Sequence, residues 1–115
     1  MEAVWDTGAS NSVITESEAK ALGLVPISYT RMITPSGETD VPCYYVDICL
    51  PNGTSFNKIR VLRASLHGFG MLIGMDLITQ GDLAISNYNG QTTFTFRHPS
   101  ITKLDFVNHD YLLFN

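Results

Sequence analysis

Val4-Trp5-Asp6-Thr7-Gly8-Ala9-Ser10 sets a carboxylate at the point where an apolar stretch gives way to a turn of small residues. The apolar stretch reads as a strand that fixes the base of Asp6. Gly8 lets backbone or substrate approach closely, and the Thr7 hydroxyl can hydrogen-bond to hold the loop rigid. Alone, the triplet Asp6-Thr7-Gly8 is a weak signal, because turns favour Asp and Gly for conformational reasons. A second stretch changes that weighting. Gly70-Met71-Leu72-Ile73-Gly74-Met75-Asp76-Leu77-Ile78 is an apolar run closed by glycine and followed by a short helical segment.

Outward from these two stretches the signals are mostly those of β structure. Tyr44–Leu50 and Phe56–Leu62 are β-rich runs joined across Pro51-Asn52-Gly53-Thr54, where Asn-Gly predicts an antiparallel hairpin. Asn89-Gly90 likewise separates Leu83–Ser86 from Thr92-Thr93-Phe94-Thr95-Phe96, whose alternation of Thr with Phe suits a strand with one buried face. Two short helices are expected. Thr15-Glu16-Ser17-Glu18 has the pattern in which Thr15 caps a helix over 16–22 and Glu18 reaches back, with Gly23 as the stop. Met75–Gln80, between Gly74 and Gly81, predicts a second helix of about two turns. Inside it Asp76 is expected to be a solvated or capping residue. No repeat, low-complexity tract or linker interrupts the chain, so one domain over residues 1–115 is expected. Pro99-Ser100 marks a break before a tail ending in Tyr111-Leu112-Leu113-Phe114, which either packs on its own domain or pairs with a partner chain.

Asp6-Thr7-Gly8-Ala9, taken with Leu72-Ile73-Gly74 and Met75-Asp76-Leu77-Ile78, resembles the retropepsin family of aspartic proteases over roughly residues 3–97. The resemblance implies a mainly β fold, a closed antiparallel barrel with two short helices. It implies hydrolysis of peptide bonds in a peptide or protein substrate, without metal or other cofactor. Asp6 would be the acid/base, Thr7 the loop-locking hydroxyl and Gly8 a backbone contact. Ala9 and Ser10 would line the substrate site. The family's mobile flap would correspond to residues 33–39, with Ile33, Thr34, Pro35, Ser36 and Gly37 reaching the substrate and Pro-Ser-Gly supplying the turn. A chain with one such triplet cannot furnish two catalytic carboxylates, so the resemblance implies a homodimer with one Asp6 from each subunit. The rival from another class is an inactive module that keeps the fold for peptide binding or dimerisation.

Two departures from the family pattern stand out. Five residues precede Asp6, where the family has a further N-terminal strand; either the chain begins late, as a fragment would, or another segment takes over in the dimer, the tail through Tyr111–Phe114 being the available substitute. Ser10 stands where retroviral members have an acid that binds the substrate backbone. Ala9, by contrast, follows the retroviral pattern. It offers no hydroxyl to the carboxylate, which implies a weakly acidic rather than strongly acidic working range.

Composition supports a globular protein and narrows its partners. The chain has 115 residues, 44% hydrophobic and 16% charged, enough for a core without disulfide or metal. A net charge of −4 disfavours a nucleic-acid partner, and Lys58, Arg60 and Arg63 read as a solvated strand face. No apolar run is long enough for a membrane span, and the start has neither the basic nor the apolar part of a secretory signal, so a cytoplasmic location is expected. Cys43 and Cys49, if on one strand, lie about 20 Å apart and read as reduced core thiols. His67, His98 and His109 lack metal-ligand spacing.

Overall fold

The computed structural model describes residues 1–107. Eight strands and two short α-helices follow the order β1 (Ala3–Trp5), β2 (Val13–Ile14), α1 (Glu16–Ala21), β3 (Ser28–Thr34), β4 (Gly37–Cys49), β5 (Ser55–Arg63), β6 (Met71–Ile73), α2 (Met75–Ile78), β7 (Asp82–Ser86) and β8 (Thr93–Arg97). They fall into two compact units, residues 1–80 and the chain from Gly81 onward, although no linker-like composition separates them.

The first unit is one six-stranded sheet in the order β1-β6-β2-β5-β4-β3, curled into a half-barrel. The expected closure into an antiparallel barrel is not among the described pairings, since β1 and β3 stand at opposite ends of the order. Two pairings are also parallel, β1 with β6 and β2 with β5. The physical reason is the two-residue β2, which slots between β5 and β6 and returns the chain after the Asp6 loop.

The predicted β4–β5 hairpin forms with Cys43 opposite Leu62 and Cys49 opposite Ser55. Its turn is closed by Leu50 N donating to Thr54 O at 2.8 Å, with Gly53 at φ +89, a region open to glycine. Between Val46 and Ile48 the register shifts, and the Asp47 carboxylate takes up the Lys58 amide at 2.8 Å, where Lys58 has φ +55. Ile14, Cys43, Val61 and Leu77 are fully buried, and Tyr44, Phe56, Met71 and Ile73 are buried with them.

Helix α1 starts as expected: Thr15 Oγ1 accepts from Glu18 N at 3.2 Å. The reciprocal half of the capping box is absent, because Thr15 N donates instead to Gly70 O at 3.0 Å, tying the helix start to the segment entering β6. Helix α2 is one turn rather than two, ending at the Thr79 cap. Cys43 and Cys49 do share β4, but only Cys43 is buried; Cys49 is exposed at the strand's end, beyond the core. Nor do the three basic residues form one solvated face. Lys58 lies over the Tyr45 ring, Arg63 pairs with Glu16, and Arg60 donates to Thr30 Oγ1 and to Cys43 Sγ.

In the second unit β7 and β8 pair antiparallel, from Asp82 opposite Arg97 to Ser86 opposite Thr93. Asn89 and Gly90 turn the chain at φ +53 and +75 in a short 3-10 turn, matching the Asn-Gly expectation. Asp82 then gathers the chain beyond β8. The Ile101 amide, the Ser100 hydroxyl and the Arg97 guanidinium all donate to it and hold its carboxyl well below the usual carboxylate range. The apolar run Tyr111–Phe114 lies outside the described residues. Among the described residues, no helix is long and apolar enough to cross a membrane.

Candidate active site

Asp6 stands at the first residue past β1, and its backbone continues that strand's pairing. Asp6 N donates to Ile73 O at 2.8 Å, one step beyond the Trp5–Ile73 register pair. The turn then closes on the acid itself. Gly8 N donates to Asp6 Oδ1 at 2.8 Å, and Ala9 N donates to Asp6 O at 3.2 Å. A side chain at position 8 would bring a Cβ within 3.2 Å of Asp6 Oδ1, so glycine keeps the carboxylate uncrowded. Asp6 is half-buried, whereas Thr7, Gly8 and Ser10 are exposed.

The far side of the loop is anchored on the Leu72-Ile73-Gly74 segment. Met75 N donates to Ala9 O at 2.7 Å, and a Cβ on Gly74 would lie 2.9 Å from Ala9 O, Asn11 C and Asn11 O. Ser12 sits beneath, with no solvent exposure. Its Oγ accepts from Gly74 N at 3.0 Å and donates to Asp76 Oδ1 at 2.8 Å, while its amide donates to Asp76 Oδ2 at 2.9 Å. Asp76 also accepts from Leu77 N at 2.9 Å. The expectation of a solvated or merely capping Asp76 is therefore corrected: its carboxylate is half-buried and joins α2 to the residues just past the Asp6 loop. Ser12 and this use of Asp76 carried no local signal, because the two lie 64 positions apart and meet only through the threading of β6 beside β2.

Thr7 does not lock the loop from within this chain. Its hydroxyl has no hydrogen bond among the described residues, and the backbone bonds to Asp6 hold the turn. Asp6 to Ser10 thus form one anchored loop. Residues 33–37 lie elsewhere, at the tip of the β3–β4 hairpin, with Thr34 opposite Gly37 and Pro35-Ser36 between them. Gly37 has φ +123, and Ile33 is 84% exposed. Arg31 bridges Glu38 at 2.9 Å and Asp40 at 3.5 Å across the hairpin, contacts that contribute little when so exposed. Among the described residues no group of three or more His, Cys, Asp or Glu could hold a metal ion.

The family model described as gag-polyprotein putative aspartyl protease matches residues 1–80, the same span as the first compact unit and shorter at its end than the resemblance over roughly residues 3–97. The crystal structure of a retropepsin-like aspartic protease from Rickettsia conorii superposes with a TM-score of 0.54 at 22% identity, covering 71% of this chain. This chain spans 64% of that one, just under two thirds of its length. A search of curated proteins finds no match. With its Asp-Thr-Gly loop seated on the Leu-Ile-Gly segment of a half-barrel sheet, the chain belongs to the gag-polyprotein putative aspartyl protease family and has a retropepsin-like fold.

Proposed function

We propose that this chain is one half of a homodimeric aspartic endopeptidase, with Asp6 of each subunit supplying one carboxylate of the catalytic pair. The observation that carries this reading is the held carboxylate: Gly8 N engages Asp6 Oδ1 in a loop whose two sides are anchored on Ile73 O and Met75 N. Two carboxylates brought close enough to share one proton do not both ionise easily. The ionised one takes a proton from a bound water, whose oxygen adds to the scissile carbonyl carbon. The protonated one donates to the carbonyl oxygen, and a proton then passes to the leaving amine as the C–N bond breaks. The pair titrates as a unit.

Within this reading the exposed Thr7 hydroxyl meets the loop of the second subunit rather than its own. The β3–β4 hairpin closes as a flap over an extended peptide, with Ile33 to Gly37 at its tip. Ala9 and Ser10 border the same peptide. Asp6→Asn tests the assignment, because an amide keeps the shape but cannot accept the proton from water. Peptide hydrolysis should disappear while the melting midpoint and sedimentation of the dimer stay in place. Hydrolysis that survives in Asp6→Asn would remove Asp6 from the chemistry, and a wild type that only binds peptide would leave an inactive module.

A further inference from the structure

We infer that Asp76, acting through Ser12, is a positioning residue for Asp6, so that the Ser12–Asp76 pair sets the rate of the chemical step and not only the stability of the fold. This rests on the peptidase reading above. Apart from the core residues Tyr44 and Cys43, Ser12 is the one buried polar side chain among the described residues, and it has no solvent exposure. A hydroxyl in such a place costs stability unless every hydrogen-bonding group is met. Here all are met: the amide and Oγ–H by the two oxygens of Asp76, the Oγ lone pair by Gly74 N, and the carbonyl by Leu62 N at 3.2 Å. Alanine would fill nearly the same space without those demands.

What the hydroxyl secures is the approach of two backbones. Gly74 N is drawn to Ser12 Oγ, which holds Gly74 against Ala9 O and Asn11, and the next amide, Met75 N, closes on Ala9 O. Ala9 N in turn donates to Asp6 O, so a path of hydrogen bonds joined by the Gly74–Met75 peptide link runs from Asp76 through Ser12 to Ala9 and the Asp6 backbone. Asp76 fits the role as an acceptor on both oxygens: three donors converge on it. An amide at position 76 would turn an N–H toward one of these donors. Neither Ser12 nor Asp76 belongs to the exposed loop, so neither is expected to touch substrate.

The test uses the full chain with Ser12→Ala, Asp76→Asn and the double variant, and a fluorogenic peptide selected from a random library by the wild type. Active sites are titrated with a peptide that carries a hydroxyl-bearing carbon in place of the scissile carbonyl. Rates are taken well below the lowest melting midpoint. A loss of about 10- to 100-fold in kcat per titrated site is expected for each single variant, as for other small misplacements of a catalytic group. KM should stay within about twofold, and the double variant should be no worse than the weaker single, since both break one path. If kcat per titrated site is unchanged and only the melting midpoint and titratable fraction fall, the pair is structural and the inference is overturned. Should Asp76→Asn fail to fold, Ser12→Ala decides alone, because it leaves the Ser12 and Leu77 amides on the Asp76 carboxylate. A wild type without hydrolysis overturns the peptidase reading, and this inference with it.

Discussion

Met75 and Ala9 are joined backbone to backbone, amide to carbonyl, at 2.7 Å, and the residue before Met75 is a glycine with no room for a side chain. That single approach fastens the loop bearing Asp6 to the one-turn helix α2. Gly74→Ala would drive a Cβ to 2.9 Å from three backbone atoms of Ala9 and Asn11, none of which is the end of a flexible side chain. The substitution should therefore cost about 1–3 kcal/mol of stability. Urea denaturation measures it, and an unshifted midpoint would mean that the approach is looser than the distances imply.

Thr7 offers a different kind of test, because its hydroxyl is exposed and unpartnered among the described residues. Thr7→Ala should leave monomer stability within about 0.5 kcal/mol, as is usual for surface changes. The dimer should weaken, and Thr7→Ser should restore it. Sedimentation equilibrium at several concentrations reads this directly; a dimer of unaltered affinity in Thr7→Ala would take Thr7 out of the interface.

The β3–β4 tip can be probed at Ile33, which is 84% exposed and so contributes little to the folded monomer. If the hairpin closes on substrate, Ile33→Ser removes an apolar contact and should lower kcat/KM on the order of 10-fold. The melting midpoint should not move. Equal kcat/KM in the two proteins would make the hairpin an ordinary surface ribbon.

Asp82 provides the pH-dependent prediction. Its carboxyl is held below its ordinary value by the Ile101 amide, then by Ser100 and Arg97, so its folded form binds a proton less readily than its unfolded form. A group of that sign stabilises fully above the unfolded value of about 4, and the contribution is lost as pH falls toward the folded value. Asp82→Asn should accordingly lower the melting midpoint at neutral pH, with the gap to wild type narrowing as the pH drops below about 4. A gap that stays constant through that range would show that the carboxylate's charge is not what matters.

Much of this architecture was legible in local chemistry. Asn52-Gly53 and Asn89-Gly90 each mark a hairpin that forms, with Gly53, Asn89 and Gly90 at positive φ in the turns. Thr15 caps α1 as its side chain predicts. What local patterns could not show is where distant segments meet. Parallel pairing of β1 with β6 and of β2 with β5 leaves no turn signature, so the local signals point to a mainly antiparallel barrel. For the same reason Asp76 reads locally as a solvated or capping residue, although its carboxylate meets Ser12. Asp6, Thr7 and Gly8 could be singled out only in combination with Leu72-Ile73-Gly74, and the structure does seat that loop on that segment. Within the chain the Gly8 and Ala9 amides supply the bonds that hold the turn.

If two subunits each contribute one Asp6 to the catalytic pair, subunit mixing exposes it. Wild-type chain is held at a fixed amount above the dimer dissociation constant, and Asp6→Asn chain is added and allowed to exchange. At an equal amount of variant about a quarter of the dimers retain two carboxylates, so hydrolysis should fall to about half, and it should approach zero as the variant goes into large excess. A rate that stays proportional to the wild-type chain, whatever the excess of Asp6→Asn, would show that one Asp6 suffices and would contradict the shared carboxylate pair.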